Sequence, residues 1–372
     1  MAIQIPDRTE DASAPFLTAA LRDGGVLDAG SQVAEVEHEA IGVGVGIVGQ
    51  LARLRLRYEG PAPGAPLSVV LKMPSQYPEN RAIGDHFNFY EREGRFYQQI
   101  GDKLGVRTPR CYWNHIDPES GAFALLLEDL GARTWISQIA GVSSARAADA
   151  LRCLAELHGV WWGSPVLDQF RWMPRLNDPI NLAAGQQYRD AWPAFVERID
   201  GYLDDAALRL GERIQFAMEE LFHRGIDEAP VTVCHGDFRI DNLLFDDDAE
   251  CPERVAVLDW QITYCGPAVT DVAYLLCQSM EVEERRRNER ALLDGWYAAV
   301  AAVRGFEGEM PDYPLDLAWQ HYRRSTLGTT VYPVTALGAM DLANERGLEL
   351  CRAMSIRSFA AAVDLDAEEL LP

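Results

Sequence analysis

The first third of the chain alternates between apolar and polar positions. Residues 51–58 (LARLRLRY) read as a half-buried strand, with Leu51, Leu54, Leu56 and Tyr58 on the buried side. Strand-like stretches flank it at Gln32–Ile41 and Leu67–Met73, and two more are expected around Arg110–His115 and Ala122–Glu128. Phe16, Leu17, Ala20 and Leu21 fall at helical spacing within 9–23, and Gly24-Gly25 ends that helix. Residues 87–102 read as one further helix. Beyond Asp129 the period changes to that of helices, expected at 144–162, 181–201, 205–224, 270–303, 315–331 and 338–363. One interruption, Val231–Leu258, carries the short strand-like pieces VTVCHGD, NLLFD and RVAVLDW. The pattern predicts an α+β protein with a boundary near 129–134: a small antiparallel sheet with one main helix over 1–129, and a large, mostly helical part over 130–372.

Composition adds limits rather than direction. The 372 residues are 48% hydrophobic and 24% charged, as in an ordinary globular protein. Asp and Glu number 57 against 34 Lys and Arg, a net charge of −23. Nucleic acid and anionic membranes both require clustered cations, so neither is expected as a partner. The N-terminus has no apolar signal-peptide core, and no apolar run approaches the ~20 residues of a membrane span. Seven scattered cysteines without a CxxC pair argue against a disulfide framework or a zinc site, and predict reduced, mostly buried thiols in a cytoplasmic protein.

The chemistry concentrates in CHGDFRIDNLLFD and the VAVLDWQ that follows. Asp237 and Asn242 stand five residues apart, and Asp259 closes an apolar strand 22 residues after Asp237. Phosphoryl transfer needs a carboxylate beside the attacking hydroxyl, oxygen ligands for magnesium and a hold on the triphosphate. Asp237 suits the first need, and Asn242 with Asp259 the second. Taken singly, each could be a turn or capping residue.

HGD-x4-N resembles the catalytic loop of the aminoglycoside phosphotransferase and choline kinase group, within the protein-kinase-like superfamily. LDWQ is similar to that group's magnesium-binding segment, and the layout of the whole chain is most like the ecdysteroid-kinase-like branch. The resemblance implies a two-lobed kinase fold using ATP and magnesium. It makes Asp237 the catalytic base and Asn242 and Asp259 the metal ligands, with His235 supporting the loop and Asp271 bracing it. It also implies a phosphate-holding lysine on the third strand, where Lys72 stands, and a glutamate partner on the next helix. Glu93 shares the inward face of Tyr90, Phe96 and Tyr97, whereas Glu91 points elsewhere, so Glu93 is the choice.

Gly42, Gly44 and Gly46 occupy the place of a nucleotide-covering loop, although a hairpin turn would look the same. There is no GK[ST], which disfavours a P-loop. Backbone groups around Glu128 and Leu130 would meet the adenine edge.

The insert at about 163–230 and the last helices are rich in aromatics, among them Trp161, Trp162, Trp172, Tyr188, Trp192, Trp319, Tyr322 and Tyr332. They would line an acceptor site for a lipophilic alcohol or form the core. An aminoglycoside-like acceptor would instead use acids such as Asp341, Glu345 and Glu349. The partner implied is a small-molecule hydroxyl acceptor, with no obligate protein partner. The alternative is an inactive pseudokinase that binds nucleotide or a partner. Arg239 stands out as a residue that many relatives lack.

Overall fold

The computed structural model describes residues 3–42, 48–117, 121–339 and 344–372. The chain divides into two compact units, Met1–Lys103 with Thr108–Arg133, and Leu104–Arg107 with Thr134–Pro372.

In the first unit, α1 (Ala14–Asp23) starts at Ser13, whose Oγ accepts from the Phe16 amide. The strands β1 (Gln32–Ile41), β2 (Gly49–Glu59) and β3 (Ser68–Pro74) precede the helices α2 (Pro78–His86) and α3 (Phe89–Gln99). β4 (Cys111–Asp117) and β5 (Ala122–Glu128) complete one antiparallel sheet of order β1-β2-β3-β5-β4. The side-chain period of two sorts this sheet into two faces. Leu54, Leu71, Trp113 and Leu126 pack under Leu17 and Leu21 of α1. Val70, Phe123, Leu125 and Leu127 pack with Tyr90 of α3. Lys72 lies two residues from Val70 and therefore shares the face under α3.

The helix expected at 87–102 is α3, and α2, which the pattern did not predict, precedes it. Asn88 has φ 55°, a left-handed conformation that a short polar side chain tolerates, and it separates α2 from α3.

The second unit is mostly helical. It runs through β6 (Thr134–Trp135), α4 (Ser144–Trp161), α5 (Pro179–Arg198), α6 (Asp205–Glu228) and β7 (Val231–Cys234). β8 (Leu243–Phe245), β9 (Val255–Val257) and β10 (Tyr264–Pro267) follow, then α7 (Val269–Ser279), α8 (Val282–Val303), α9 (Leu315–Thr329), α10 (Val331–Ala339) and α11 (Glu345–Asp364). The strands form a β6-β8-β9 sheet and a β10-β7 pair. Strands as short as β6 and β10 carry too few residues for a legible period.

The expected helix 270–303 is broken between α7 and α8. Gln278 O accepts from Gln138 Nε2 (2.8 Å) and Arg357 Nη1 (3.2 Å), and Ser279 O accepts from the Val142 amide (2.7 Å). The last carbonyls of α7 thus find tertiary partners, and Met280 is extended. The segment expected as one helix at 338–363 contains the end of α10 and most of α11, which Asn344 caps through the Gly347 amide.

The core of this unit stacks Tyr188 on Trp192 and Phe195 on Phe359. Tyr188, Trp192 and Tyr322 are therefore core residues rather than lining. Glu345 and Glu349 are exposed, and Asp341 lies outside the described residues.

Cysteine chemistry departs from expectation at one pair. Cys153 of α4 and Cys251 of the β8–β9 connection form a disulfide, Cα to Cα 5.5 Å, between positions 98 residues apart that no sequence spacing links. The other five are thiols, four of them buried. Burial pushes the Cys111, Cys265 and Cys277 thiols up to about 12. Among the described residues, no helix is long and apolar enough to cross a membrane.

Candidate active site

The HGD turn is held from beneath by α7. Asp271 Oδ2 accepts from the His235 amide (2.7 Å) and Oδ1 from the Gly236 amide (3.0 Å). His158 faces the same carboxylate at 3.4 Å through Nε2, while its Nδ1 accepts from Trp296 Nε1. His235 spends both ring nitrogens on backbone: Nδ1 accepts from the Asp237 amide and Nε2 donates to Leu258 O at 2.8 Å. It is a strut with no nitrogen to spare for proton transfer. Gly236 has φ +86°, and a Cβ there would lie 2.7 Å from Ile262 O, so glycine is required.

This turn delivers Asp237, 5% exposed, into a set of donors. Asn242 Nδ2 donates to both Asp237 O and Oδ2 at 2.9 Å. Both bonds use Nδ2, which leaves Asn242 Oδ1 as the atom that can face a cation. The Leu258 amide donates to Asn242 O, and Leu243 pairs with Val257, so Asn242 and Asp259 lie at the same end of the β8–β9 hairpin. Asp259 has φ 63°. The Tyr332 phenol reports on both acids. Burial raises its pKa first, and Asp237 and Asp259 raise it further against the opposing charge of Arg239.

Arg239 closes the set. Its Nε donates to Asp237 Oδ1 (3.1 Å) and Oδ2 (3.2 Å), and its Nη1 to Asp241 Oδ2 (2.9 Å). Its guanidinium lies 6.0 Å from the Tyr332 ring centre. Burial works against the charge, but Asp237, Tyr332 and Asp241 together raise its pKa and keep it cationic. Tyr274 of α7 adds a phenol: burial raises its pKa well above the usual value, and both the charge of Asp237 and a hydrogen bond to it raise it further.

In the first unit, Lys72 Nζ lies 2.8 and 2.7 Å from the two oxygens of Glu93. The two residues are 6% and 1% exposed. Glu91 is half-buried and reaches Arg95 at 3.4 Å. Gly42 ends β1 with φ +68°, whereas Gly44 and Gly46 lie outside the described residues. The Glu128 amide already donates to Arg110 O, and Leu130 O accepts from Arg133, which narrows what either could offer a base.

Residues 44–303 match the ecdysteroid kinase-like family. The chain belongs to that family. A kinase-like protein of Caenorhabditis elegans is 32% identical over 68 residues, 18% of each chain. The chain spans 4% and 18% of the lengths of the curated relatives it matches. Among solved structures, choline kinase from Cryptosporidium parvum aligns over 96% of this chain and 98% of its own, with TM-score 0.56 and 11% identity. Aminoglycoside 2'-phosphotransferase-IIIa, solved as its GDP complex, aligns over 92% and 98%, with TM-score 0.52 and 17% identity. At these identities the likeness is one of fold, and it is the α+β kinase-like fold that the pattern predicts.

Within this ecdysteroid kinase-like chain, sequence reasoning left Tyr274 unassigned and gave Arg239 no role. Tyr274 follows Asp271 by three residues on α7, a spacing that places both on one face. Arg239 carried a signal, a cation two residues from Asp237, but its fork onto two acids depends on the turn.

Proposed function

We propose that this protein transfers the γ-phosphoryl group of ATP, with magnesium, to a hydroxyl of a small molecule. The observation that carries the reading is Asn242: its Nδ2 is fixed on Asp237, and its backbone is fixed beside the segment that ends in Asp259. This supports a reading in which Asp237 is the base, with Asn242 Oδ1 and Asp259, at the same end of the hairpin, as the oxygen donors.

The donor set fits magnesium. Asn242 Oδ1 and Asp259 are hard oxygen donors, and magnesium takes few protein ligands, drawing the rest from phosphate and water. When bound, the ion would neutralise phosphate charge. Asp237 accepts the hydroxyl proton as that oxygen attacks phosphorus and the bond to ADP breaks. Lys72, held by Glu93, would steady the phosphates. Gly42, Gly44 and Gly46 would cover the nucleotide, and the backbone at Glu128 and Leu130 would receive the adenine, with residues 1–129 as the nucleotide-covering part and 130–372 as the catalytic and acceptor part.

A screen of lipophilic ring alcohols and aminoglycosides with ATP and magnesium tests the reading. Asp237→Ala is expected to lower kcat by roughly 10²–10⁴ and to leave nucleotide affinity in place. Full activity in that variant overturns the assignment. Nucleotide binding without turnover on either class, or on water, favours the inactive alternative.

A further inference from the structure

Asp237 is more heavily engaged than a free base would be. A carboxylate offers about four lone-pair directions. Arg239 Nε takes one on each oxygen, at 3.1 and 3.2 Å, and Asn242 Nδ2 takes a second on Oδ2 at 2.9 Å. Arg239 and Asn242 thus leave one direction, on Oδ1, and Tyr274 is a further hydrogen-bond partner of the carboxylate.

Arg239 is itself fixed at its other end. Nη1 donates to Asp241 Oδ2, Asp241 Oδ1 accepts from the Gln138 amide, and Asp241 O accepts from Trp135 Nε1. Gln138 is pinned in turn, its side chain to Gln278 O and Ser279 Oγ and its carbonyl to Arg357 of α11. Ser279 Oγ also accepts from the Ile240 amide inside the loop. A buried guanidinium with one arm on the base and one on a braced acid has two anchors and little freedom.

We propose that Arg239 is a positioning residue for phosphoryl transfer, which aims one Oδ1 direction of Asp237 at the attacking hydroxyl through a clamp anchored on Asp241. This rests on the kinase reading above and assigns Arg239 no direct contact with substrate. A guanidinium suits the task because its planar fork reaches two carboxylates at fixed angles, which an ammonium on a flexible stem cannot do. Without the clamp, Asp237 keeps its place in the loop through the Asn242 bond but its carboxylate can turn. Misplacement of a reacting group by about 1 Å costs on the order of 10²-fold in rate.

The test needs no identified acceptor, because water serves as the probe. Release of phosphate from magnesium ATP is measured for wild type, Arg239→Met, Asp237→Ala and the double variant. Arg239→Met is expected to lower kcat by roughly 10²-fold, with KM for magnesium ATP within about twofold of wild type. The double variant is expected to match Asp237→Ala, since a residue that acts through another adds nothing once that other is gone. Guanidinium ion is expected to restore part of the activity of Arg239→Gly, and sodium ion at equal ionic strength none.

Arg239→Met leaves two acids buried without their cation, so Arg239→Met/Asp241→Asn is measured beside it, with thermal melts of both. The same kcat loss in a variant that melts like wild type sustains the proposal. Additive losses in the double variant, or a raised KM with unchanged kcat, overturn it. No turnover by wild type, or full turnover by Asp237→Ala, instead overturns the kinase reading on which it rests.

Discussion

At the scale of single residues, buried charges are permitted only in pairs, and the Lys72–Glu93 pair is built by local periodicity. Lys72 alternates onto the face of Val70, and Glu93 comes from the inward face of α3. Glu93 was legible because Tyr90, Phe96 and Tyr97 flank it at helical spacing. Asp237, Asn242 and Asp259 were legible as types at a spacing, whereas the Arg239 fork was not, because it depends on the rotamers that a folded turn allows. The pairing at Lys72 makes a quantitative prediction. Lys72→Met leaves the carboxylate of Glu93 buried without its ammonium and should cost about 3–5 kcal/mol in urea unfolding. Lys72→Met/Glu93→Leu should recover most of that loss. A single variant as stable as wild type would show that the pair is not buried in solution.

At the scale of elements, the strands read well and the long helices only in part. β1 to β5 follow the alternation of the sequence, with ends differing by a few residues. The break between α7 and α8 carries neither glycine nor proline. It arises because Gln138, Val142 and Arg357 reach the carbonyls at the end of α7 from distant positions. α7 meets the loop at both ends: Asp271 in its first turn accepts from the His235 and Gly236 amides, and Ser279 Oγ at its end accepts from the Ile240 amide. Gly236 is the hinge of that loop, and its left-handed φ cannot be shared by a side chain without strain of about 1–3 kcal/mol. Gly236→Ala should lower both the melting temperature and the phosphate release rate, because the new Cβ meets Ile262 O. A variant with unchanged rate would mean that the turn does not set the position of Asp237.

At the scale of the whole molecule, the charge of −23 argues against nucleic acid and anionic membranes but points to no substrate. Of the aromatics that composition offered as acceptor lining, Tyr188, Trp192 and Tyr322 pack in the core, while Tyr332 stands beside Arg239. Burial cannot be read from residue type alone, since Trp and Tyr serve the core and the pocket with equal chemistry. The Cys153–Cys251 bond was equally hidden, because its partners meet only through packing of α4 against the hairpin connection.

Central to the account is a divalent ion shared by Asn242, Asp259 and a nucleotide tail. Calorimetric titration of ATP into the protein, with and without magnesium, measures it directly for wild type and Asp259→Asn. Magnesium should tighten binding to wild type by at least about tenfold, 1.4 kcal/mol, and leave the variant little changed. Equal tightening in both proteins, or none in wild type, would contradict the assignment.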